Sequence, residues 1–460
     1  MDDKLLIRMY KVGFGDCIYV QIPDGKTKFH MLIDCGTSAD AAVLKDALDD
    51  VCSELKKDGK NHLDLLVATH PHADHIKGFN PAWFEGTTIG RIWVTVFLKP
   101  DHAQAKKMMK LQNLADSAAR GLRDRSGLQL APGIKAVLER SIWNPGALKA
   151  LREDLAKASN TYPQYPLYVA RDLAKQQEKA QRDEYELSFE DETTCFRGFR
   201  EKKTCLRVLA PESDIDGYYL GQESFGSHAL SDPSLLDTAA YQAAAETGTE
   251  PLAEAAEAGK KNQPGNISER DFRQLRDRLL YAGLAFSQKD DSLKNNTSVV
   301  LLLEWRGRRL LFCGDAEWRG TGFQKSRRNG TWDVMLSIPE VRKALLQPLD
   351  FLKVGHHGSH NGTPFREGGK EQVLDKMLSS NRTHVVVSTV TGVHGEENPV
   401  PHPDLLTALG GLAVNKRRYP YAHETELQDV DQPQRTDLEP RAPGKKVDYV
   451  EVTLAECRIE

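Results

Sequence analysis

The segment from Thr69 to His75 reads Thr-His-Pro-His-Ala-Asp-His and carries the residue types that bind metal ions. It follows a hydrophobic run, Leu63 to Ala68, that predicts a buried strand. Pro71 disfavours the helical conformation in the residue before it, so His70 and His72 lie in an extended segment where alternate side chains face the same side. The two imidazoles are therefore expected to converge on one point.

Asp74 and His75 lie beyond these two histidines, where the chain turns, and can serve a neighbouring ion. Imidazole with carboxylate suits Zn²⁺ and also Mn²⁺ or Fe²⁺, so ligand type alone does not select the metal. Two such ions lower the pKa of a shared water and present hydroxide to an electrophilic centre, so the predicted reaction class is hydrolysis. Asp74 is predicted both as a ligand and as part of the catalytic machinery.

Two later segments end predicted strands with residues of the same kind. Leu310 to Phe312 runs into a Gly-Asp pair, which places Asp315 at the C-terminal tip of a strand, where α/β sites usually lie. Its carboxylate can bridge two ions with one oxygen on each. Leu352 to Val354 runs into Gly-His-His-Gly, which supplies one inward ligand and one outward partner. His356 is the preferred ligand and His357 is its rival.

Asp34 closes an earlier predicted strand in the sequence Ile-Asp-Cys-Gly. A carboxylate at this place can orient a ligand histidine through the second ring nitrogen. A turn aspartate is an equally good interpretation of the spacing alone.

Length and composition restrict the classes of protein that this sequence can represent. The 460 residues contain 62 Lys and Arg against 66 Asp and Glu, a formal charge of −4, so a polyanion would have to be bound by a local patch. No window holds about 18 consecutive apolar residues, which predicts no membrane span. The seven cysteines form no Cys-x-x-Cys pair, and the first residues do not read as a signal peptide, so we expect reduced thiols in a cytoplasmic protein.

The strand and helix patterns divide the chain into an interrupted α/β domain. The predicted boundaries are residues 1–98 for its first half, 99–195 for a helical insertion, 196–216 for a strand that returns to the core, 217–291 for a small-residue-rich and mobile insertion, and 292–460 for the second half.

The ordered motifs resemble those of metallo-β-lactamase-fold hydrolases, and most closely the soluble hydrolase domain of ComEC-type competence proteins. The resemblance covers the two flanking halves and the segment Thr204 to Pro211, and it implies a four-layer αββα sandwich with a large, mostly helical insertion. The segments that carry it are Val12 to Cys17, Leu32 to Gly36, His70 to His75, Asn295 to Val300, Gly314 to Glu317, Lys353 to Ser359 and Asn398 to Pro403.

The resemblance also implies a site that holds two divalent metal ions, Zn²⁺ or Mn²⁺. Asp34 would support the ligands, Ser359 and Asn398 would bind substrate at the rim, and His402 would protonate the leaving oxygen. A packing histidine at a Pro-rich turn is the other interpretation of His402. The implied metal ligands are His70, His72, Asp74, His75, Asp315 and His356.

The sequence departs from the family pattern in three respects. Many ComEC-type domains have aspartate where this chain keeps His72. The β-lactamase-like members supply a further histidine to the first metal where this chain has Asn295, so occupancy of that ion is open. The membrane channel that accompanies ComEC-type domains is absent from this sequence, and DNA uptake therefore does not carry over.

Three functions compete on this basis. A phosphodiesterase or nuclease acting on a nucleic acid or nucleotide is preferred, because the resemblance favours it. Basic runs such as Arg306 to Arg309, Arg327 with Arg328, and Arg197 to Lys203 can bind phosphate, although most such runs are solvated turns. A hydrolase of a carboxylic ester, lactone or thioester is the second candidate. The third is a subunit of a multi-protein bacterial system, whose insertions dock a protein partner and whose hydrolase is silent until triggered.

Overall fold

The structure is a computed structural model of the whole chain, and the description covers the residues whose placement it defines. Among these residues no helix is both long enough and apolar enough to cross a membrane. Most of the two predicted insertions lies outside the described residues, and so does the segment from Asp237 to Ala258, whose sequence pattern predicts a helix. The described residues are 4–59, 61–106, 145–155, 166–172, 195–196, 198–220, 292–365, 373–379, 383–390, 399–413 and 449–457.

The first sheet takes six strands from the first part of the chain and one from its end. They are β1 (Leu5–Tyr10), β2 (Cys17–Asp24), β3 (Thr27–Cys35), β4 (His62–Ala68), β5 (Thr88–Thr95), β6 (Leu167–Val169) and β13 (Tyr449–Leu454). Their order is β13-β1-β2-β3-β4-β5-β6. Pairing is antiparallel from β13 to β3 and parallel from β3 to β6.

The second sheet has the order β12-β11-β10-β9-β8-β7. Its strands are β7 (Cys195–Phe196), β8 (Thr204–Ala210), β9 (Val300–Trp305), β10 (Arg308–Phe312), β11 (Phe351–Lys353) and β12 (His384–Val386). The pairs β10–β11 and β11–β12 are parallel, and β7 to β10 pair in antiparallel fashion. Parallel strands need long connections, and helices supply them here.

Helices cover the outer face of each sheet. The described α-helices are α1 (Ala42–Lys57), α2 (Ala73–Ile76), α3 (Pro145–Lys149), α4 (Thr331–Ser337), α5 (Pro339–Leu345), α6 (Val373–Met377) and α7 (Pro403–Ala413). The buried side of α1 packs against the first sheet through residues such as Leu48 and Val51. Trp332 of α4 and Leu345 of α5 pack against the second sheet.

Successive side chains of a strand point to opposite faces of its sheet. Each sheet can therefore bury one face against the other sheet and its other face against helices. On β9, Leu301 and Leu303 enter the core between the two sheets, whereas Val300 and Leu302 enter the core under the helices of the second sheet. Strands buried on both faces read as continuous hydrophobic runs, as β9 does. The predicted α/β sandwich is confirmed: helices, sheet, sheet and helices form four layers.

Two features of the fold were not predicted. The short strand β6 lies in the region that the helical pattern assigned to an insertion, β7 spans the end of that region, and each extends the edge of a sheet. The expectation of reduced thiols is wrong for Cys195 and Cys205, which form a disulfide between β7 and β8; their Cα atoms lie 5.6 Å apart, a normal separation for such a bond. The other five cysteines are free.

Candidate metal centre

The residues with the predicted chemistry lie at one end of the sandwich, just beyond strand ends of both sheets. Asp34 ends β3, His70 follows β4, Asp315 follows β10 and His357 follows β11. Because parallel strands point the same way, the loops after β3 and β4 meet at one edge, and those after β10 and β11 meet at the facing edge.

Close backbone packing holds the histidine segment in place. A Cβ atom on Gly36 would lie only 2.1 Å from the carbonyl carbon of Asp74 and from the amide nitrogen of His75. Only glycine allows this approach, and Asp16 adds a hydrogen bond from its N–H to the carbonyl of Asp74 at 3.0 Å. The motifs around Gly36 and Asp16 therefore serve to seat the metal-binding segment.

Imidazole and carboxylate groups from both sheets converge in the interior of this end. His75 Nε2 lies 3.2 Å from Asp315 Oδ2 and 3.3 Å from His357 Nε2. His357 Nε2 also lies 3.5 Å from Asp74 Oδ2 and 3.5 Å from Asp315 Oδ2. His70 Nε2 approaches Asp315 Oδ2 at 3.7 Å. All five side chains are buried.

These groups form two overlapping sets whose ligand atoms lie within 4.8 Å of one another, one made of His70, His75 and Asp315 and the other of Asp74, His75 and His357. His72 is not part of either set, and its Nδ1 atom lies 3.0 Å from His70 Nε2. The structure thus brings the residues of the histidine motif close to Asp315.

His357, rather than His356, points into the cluster. Both residues adopt left-handed backbone conformations, with φ of 47° at His356 and 51° at His357, which is costly for residues other than glycine. His357 Nδ1 donates to the carbonyl of Ser388 at 2.9 Å, so the lone pair of its Nε2 faces the cluster. His356 is partly exposed, and its Nδ1 lies 3.2 Å from Asn361 Oδ1.

Asp34 occupies the supporting position that the sequence suggested. Its Oδ2 lies 2.8 Å from His75 Nδ1, so the protonated Nδ1 donates to the carboxylate and Nε2 is directed at the cluster. Thr69 fixes the carboxylate with its amide at 2.7 Å and its hydroxyl at 2.6 Å. Asp34 is fully buried, and this burial raises its pKa against the lowering effect of His75.

The imidazole and carboxylate groups of the cluster shift one another's pKa values. Burial opposes the ionisation of Asp315, but the imidazoles of His75 and His357 outweigh it and hold the pKa of Asp315 well below its ordinary value. Burial likewise opposes a charge on His75, yet Asp315 and Asp34 raise its pKa well above the ordinary value. Burial and the charge of His75 keep the pKa of His70 low, so His70 presents a neutral ring.

Two carboxylate oxygens show directly that the cluster fits a cation. Asp74 Oδ1 and Asp315 Oδ1 are buried and have no hydrogen-bond partner among the described residues. A buried carboxylate oxygen normally has a partner, because the lost hydration is costly. A divalent cation between these groups would satisfy both oxygens, and the donor set of nitrogen and carboxylate oxygen suits such an ion.

A buried ion pair beneath the cluster was missed by the sequence analysis. Lys353 Nζ pairs with Asp16 Oδ2, and the hydroxyl of Ser388 donates to Asp16 Oδ1. Asp16 in turn lies 3.8 Å from His75 Nδ1. The available signal was a lysine within the apolar strand β11, since a buried lysine needs an anionic partner. This pair positions the loops that carry both histidines.

Asn295 occupies the place where a further histidine was considered. Its Nδ2 donates to Glu317 Oε1 at 2.9 Å and lies 3.3 Å from His356 Nε2. Asn296 donates to the other oxygen of Glu317 at 2.7 Å. Glu317, which the sequence analysis left without a role, therefore holds both amides beside the cluster.

The three residues predicted at the rim of the site differ in where the structure places them. His402 lies near the cluster, because its N–H donates to the carbonyl of Gly358 at 2.8 Å. Ser359 is buried and donates its hydroxyl to Asn361 Oδ1 at 2.7 Å. Asn398 lies outside the described residues.

Residues 10–92 match the family model of the metallo-beta-lactamase superfamily. The matched segment contains β2 to β4, Asp34 and the whole run from Thr69 to His75, so this part of the chain is similar to proteins of the metallo-beta-lactamase superfamily. Proteins of this superfamily generally bind divalent metal ions, and the clustered groups offer candidate ligands for them. A comparison with curated proteins found no match. Fold, family and cluster together indicate a metal-dependent hydrolase.

Substitution of Asp34 by asparagine is expected to weaken metal binding without removing a ligand. The amide can no longer balance a proton on His75 Nδ1, so the ring loses its fixed orientation. Removal of such a supporting group typically lowers metal affinity about 10–100-fold. Competition with a chromogenic chelator measures this change, with Asp40→Asn on an exposed turn as the matched control. Unchanged affinity in Asp34→Asn would show that His75 is oriented by other groups.

Proposed function

We propose that this protein is a metal-dependent phosphodiesterase that acts on a nucleic acid or nucleotide, similar in kind to the ComEC-type hydrolase domain. The observation that supports it most is the buried meeting of imidazole and carboxylate groups from both sheets, with Asp74 Oδ1 and Asp315 Oδ1 left without partners in the described residues. Groups arranged in this way hold cations for hydrolysis rather than stabilise a core.

The proposed ligands differ from the sequence prediction at one position. We assign His357 in place of His356, because His357 Nε2 faces the cluster. Asp315 lies between the two sets and would serve both ions. When bound, two divalent cations such as Zn²⁺ or Mn²⁺ would make water a nucleophile at neutral pH and neutralise charge on the phosphate. The remaining proposed ligands are His70, His72, Asp74 and His75.

The residues of the chain would orient the reacting groups and supply a proton. Asp34 and Ser388 hold His75 and His357 with Nε2 turned inward. At the rim, the amide of Asp404 donates to His402 Nδ1 at 3.2 Å and orients the ring. In its protonated form, His402 would give a proton to the leaving oxygen, which is the role of a general acid.

Arginine side chains beside the cluster favour a phosphodiester over a neutral ester. Arg319, Arg327 and Arg328 line a cleft that begins two residues beyond Asp315. Guanidinium groups match phosphate in charge and geometry, and they give no advantage to an uncharged lactone or thioester. A protein partner that docks on the insertions remains a separate proposal, because those segments lie largely outside the described residues.

Turnover by protein loaded with Mn²⁺ or Zn²⁺ tests the proposed function. We expect hydrolysis of single-stranded DNA, RNA or a simple aryl phosphodiester, and none of an aryl carboxylic ester or a lactone. Double-stranded DNA and cyclic dinucleotides are assayed as further substrates. The double variant Asp74→Ala, His75→Ala is the control. Hydrolysis of the ester or lactone alone would contradict the proposal, as would equal diester turnover by the control.

A further inference from the structure

An open cleft of about 1240 Å³ adjoins the metal cluster. One wall is the segment 317–329, which follows the strand end that carries Asp315, and the other includes the turn at His360 and Asn361. The inner wall lies beside the residue that precedes the cluster residue His357, since Asn361 Oδ1 lies 3.2 Å from His356 Nδ1. A substrate with its reacting bond at the cations would therefore extend into this cleft.

Two exposed arginines give the cleft positive charge. Arg319 and Arg327 are exposed, and neither forms an ion pair with any residue in the described part of the chain. Arg319 donates a hydrogen bond to Ser292 Oγ at 3.5 Å. Glu317 is the one carboxylate among the lining residues, and it is buried and accepts hydrogen bonds from Ser292 and Asn295. The guanidinium groups of Arg319 and Arg327 therefore face the solvent of the cleft, while its carboxylate is engaged in the wall.

The basic run that begins at Arg306 does not share this property. It lies at the opposite end of the sandwich, in the turn between β9 and β10 and at the start of β10. Its arginines are used in ion pairs within the fold: Arg306 with Glu201, Arg308 with Asp350 and Arg309 with Glu304. The structure thus separates a basic run that is engaged in ion pairs from Arg319 and Arg327, which are exposed in the cleft.

We propose that this cleft binds the phosphates of a single nucleic-acid strand on one side of the bond that is cut. The inference rests on the proposed function and narrows its substrate to an oligonucleotide or longer strand. Arginine binds phosphate oxygens through two parallel hydrogen bonds. The half-buried ring of Trp318 in the same wall offers a face on which a base can stack. The volume exceeds the range of roughly 300–1,000 Å³ that is usual for small-molecule sites.

Binding of a fluorescein-labelled, single-stranded oligodeoxynucleotide tests the proposal by fluorescence anisotropy. The full chain is used with EDTA present, so that the strand stays intact. The variants are Arg319→Ser and the double change Arg327→Ser, Arg328→Ser, and the matched control is Arg200→Ser, an exposed arginine at the opposite end of the sandwich. Circular dichroism verifies that each variant is folded.

We expect each cleft variant to bind the strand about tenfold more weakly or worse, since a charged hydrogen bond to phosphate contributes about 1.5–3 kcal/mol. The slope of log affinity against log salt should fall by about 0.7 for each phosphate that the variant no longer binds. Arg200→Ser should bind within about twofold of the wild type. Wild-type affinity in the cleft variants would overturn the proposal, and so would tighter binding of a cyclic dinucleotide than of the strand.

A second measurement separates this inference from the proposed function. Hydrolysis of a small aryl phosphodiester by the metal-loaded wild type tests the chemistry alone. If the protein hydrolyses the diester but the arginine variants bind the strand as tightly as the wild type, only the proposal for the cleft is overturned. Arginine-dependent strand binding without hydrolysis of any diester would support the cleft and contradict the proposed function.

Discussion

Asp315→Asn will lose nearly all hydrolytic activity and most of its bound metal. Its Oδ2 lies 3.7 Å from His70 Nε2 and 3.5 Å from His357 Nε2, and an amide cannot supply the negative charge of this carboxylate to a bound cation. Metal ions contribute several kcal/mol to such a reaction, so we expect activity to fall about a thousandfold or more. Metal content after dialysis and the absorption spectrum of the Co²⁺-loaded protein report the site independently of turnover.

Asp350→Asn is the matched control for this experiment. Asp350 lies just before β11, at the opposite end of the sandwich, where it binds Arg308 at 2.6 Å. Its amide can still accept hydrogen bonds, and we expect metal content and activity close to those of the wild type. If Asp315→Asn keeps both its metal and its activity, Asp315 is not a ligand and the assigned centre is wrong.

Arg8→Ala will produce the largest loss of stability among single changes far from the cluster. Arg8 on β1 is buried and lies 3.0 Å from Asp50, 2.9 Å from Glu54 and 2.5 Å from Glu451. Removal of the cation leaves three carboxylates without a common partner. Breaking a buried ion pair in this way costs about 3–5 kcal/mol in the free energy of unfolding. Urea denaturation of metal-loaded protein measures it.

Lys45→Ala provides the comparison, because Lys45 and Asp49 form an exposed pair at 2.7 Å on α1. Such an exposed pair contributes little to the free energy of unfolding, because water and salt screen it. Equal losses in the two variants would show that the Arg8 cluster is not a stabilising network.

At acid pH, the difference in the free energy of unfolding between the wild type and Arg8→Ala should become smaller. Burial opposes the ionisation of Glu54, but Lys57 and Arg8 outweigh it and lower its pKa. A carboxyl with a lowered pKa stabilises the fold above its unfolded pKa, and this contribution is lost as the pH falls through the folded value. In the variant no guanidinium is present to lower that pKa, so acid removes less stability. If the free energies of unfolding of the two proteins differ by the same amount at neutral and at acid pH, this account is contradicted.

Most of the sandwich could be predicted because its strands are long hydrophobic runs. The hydrophobic run from Ser298 to Glu304 predicts a strand, which is β9 within two residues, and the helical spacing from Ile338 to Leu346 predicts a helix, which is α5 within one residue. The short strands β6 and β7 could not be predicted in this way. Leu167–Val169 is a strand because β5 offers it a free edge, which is a property of the assembled sheet and not of three residues.

The site was predicted to the level of its motifs but not of every contact. The histidine segment and Asp315 were found because each follows a strand and carries a ligand-type side chain. The choice between His356 and His357 could not be made, because two adjacent residues with positive φ turn the backbone in a way that spacing does not reveal. The pair of Lys353 with Asp16 was missed because a contact between distant segments leaves no local pattern.

The neighbouring places of β1 and β13 have a consequence for how the chain is assembled. Residues Leu5 and Leu454 stand opposite each other, so β1 finds its outer partner only after the long segment between them has been made. Until then β1 presents unpaired amide and carbonyl groups that another molecule can use for pairing. Contacts of such sequence separation also slow folding, so newly made protein should be most prone to self-association before β13 docks.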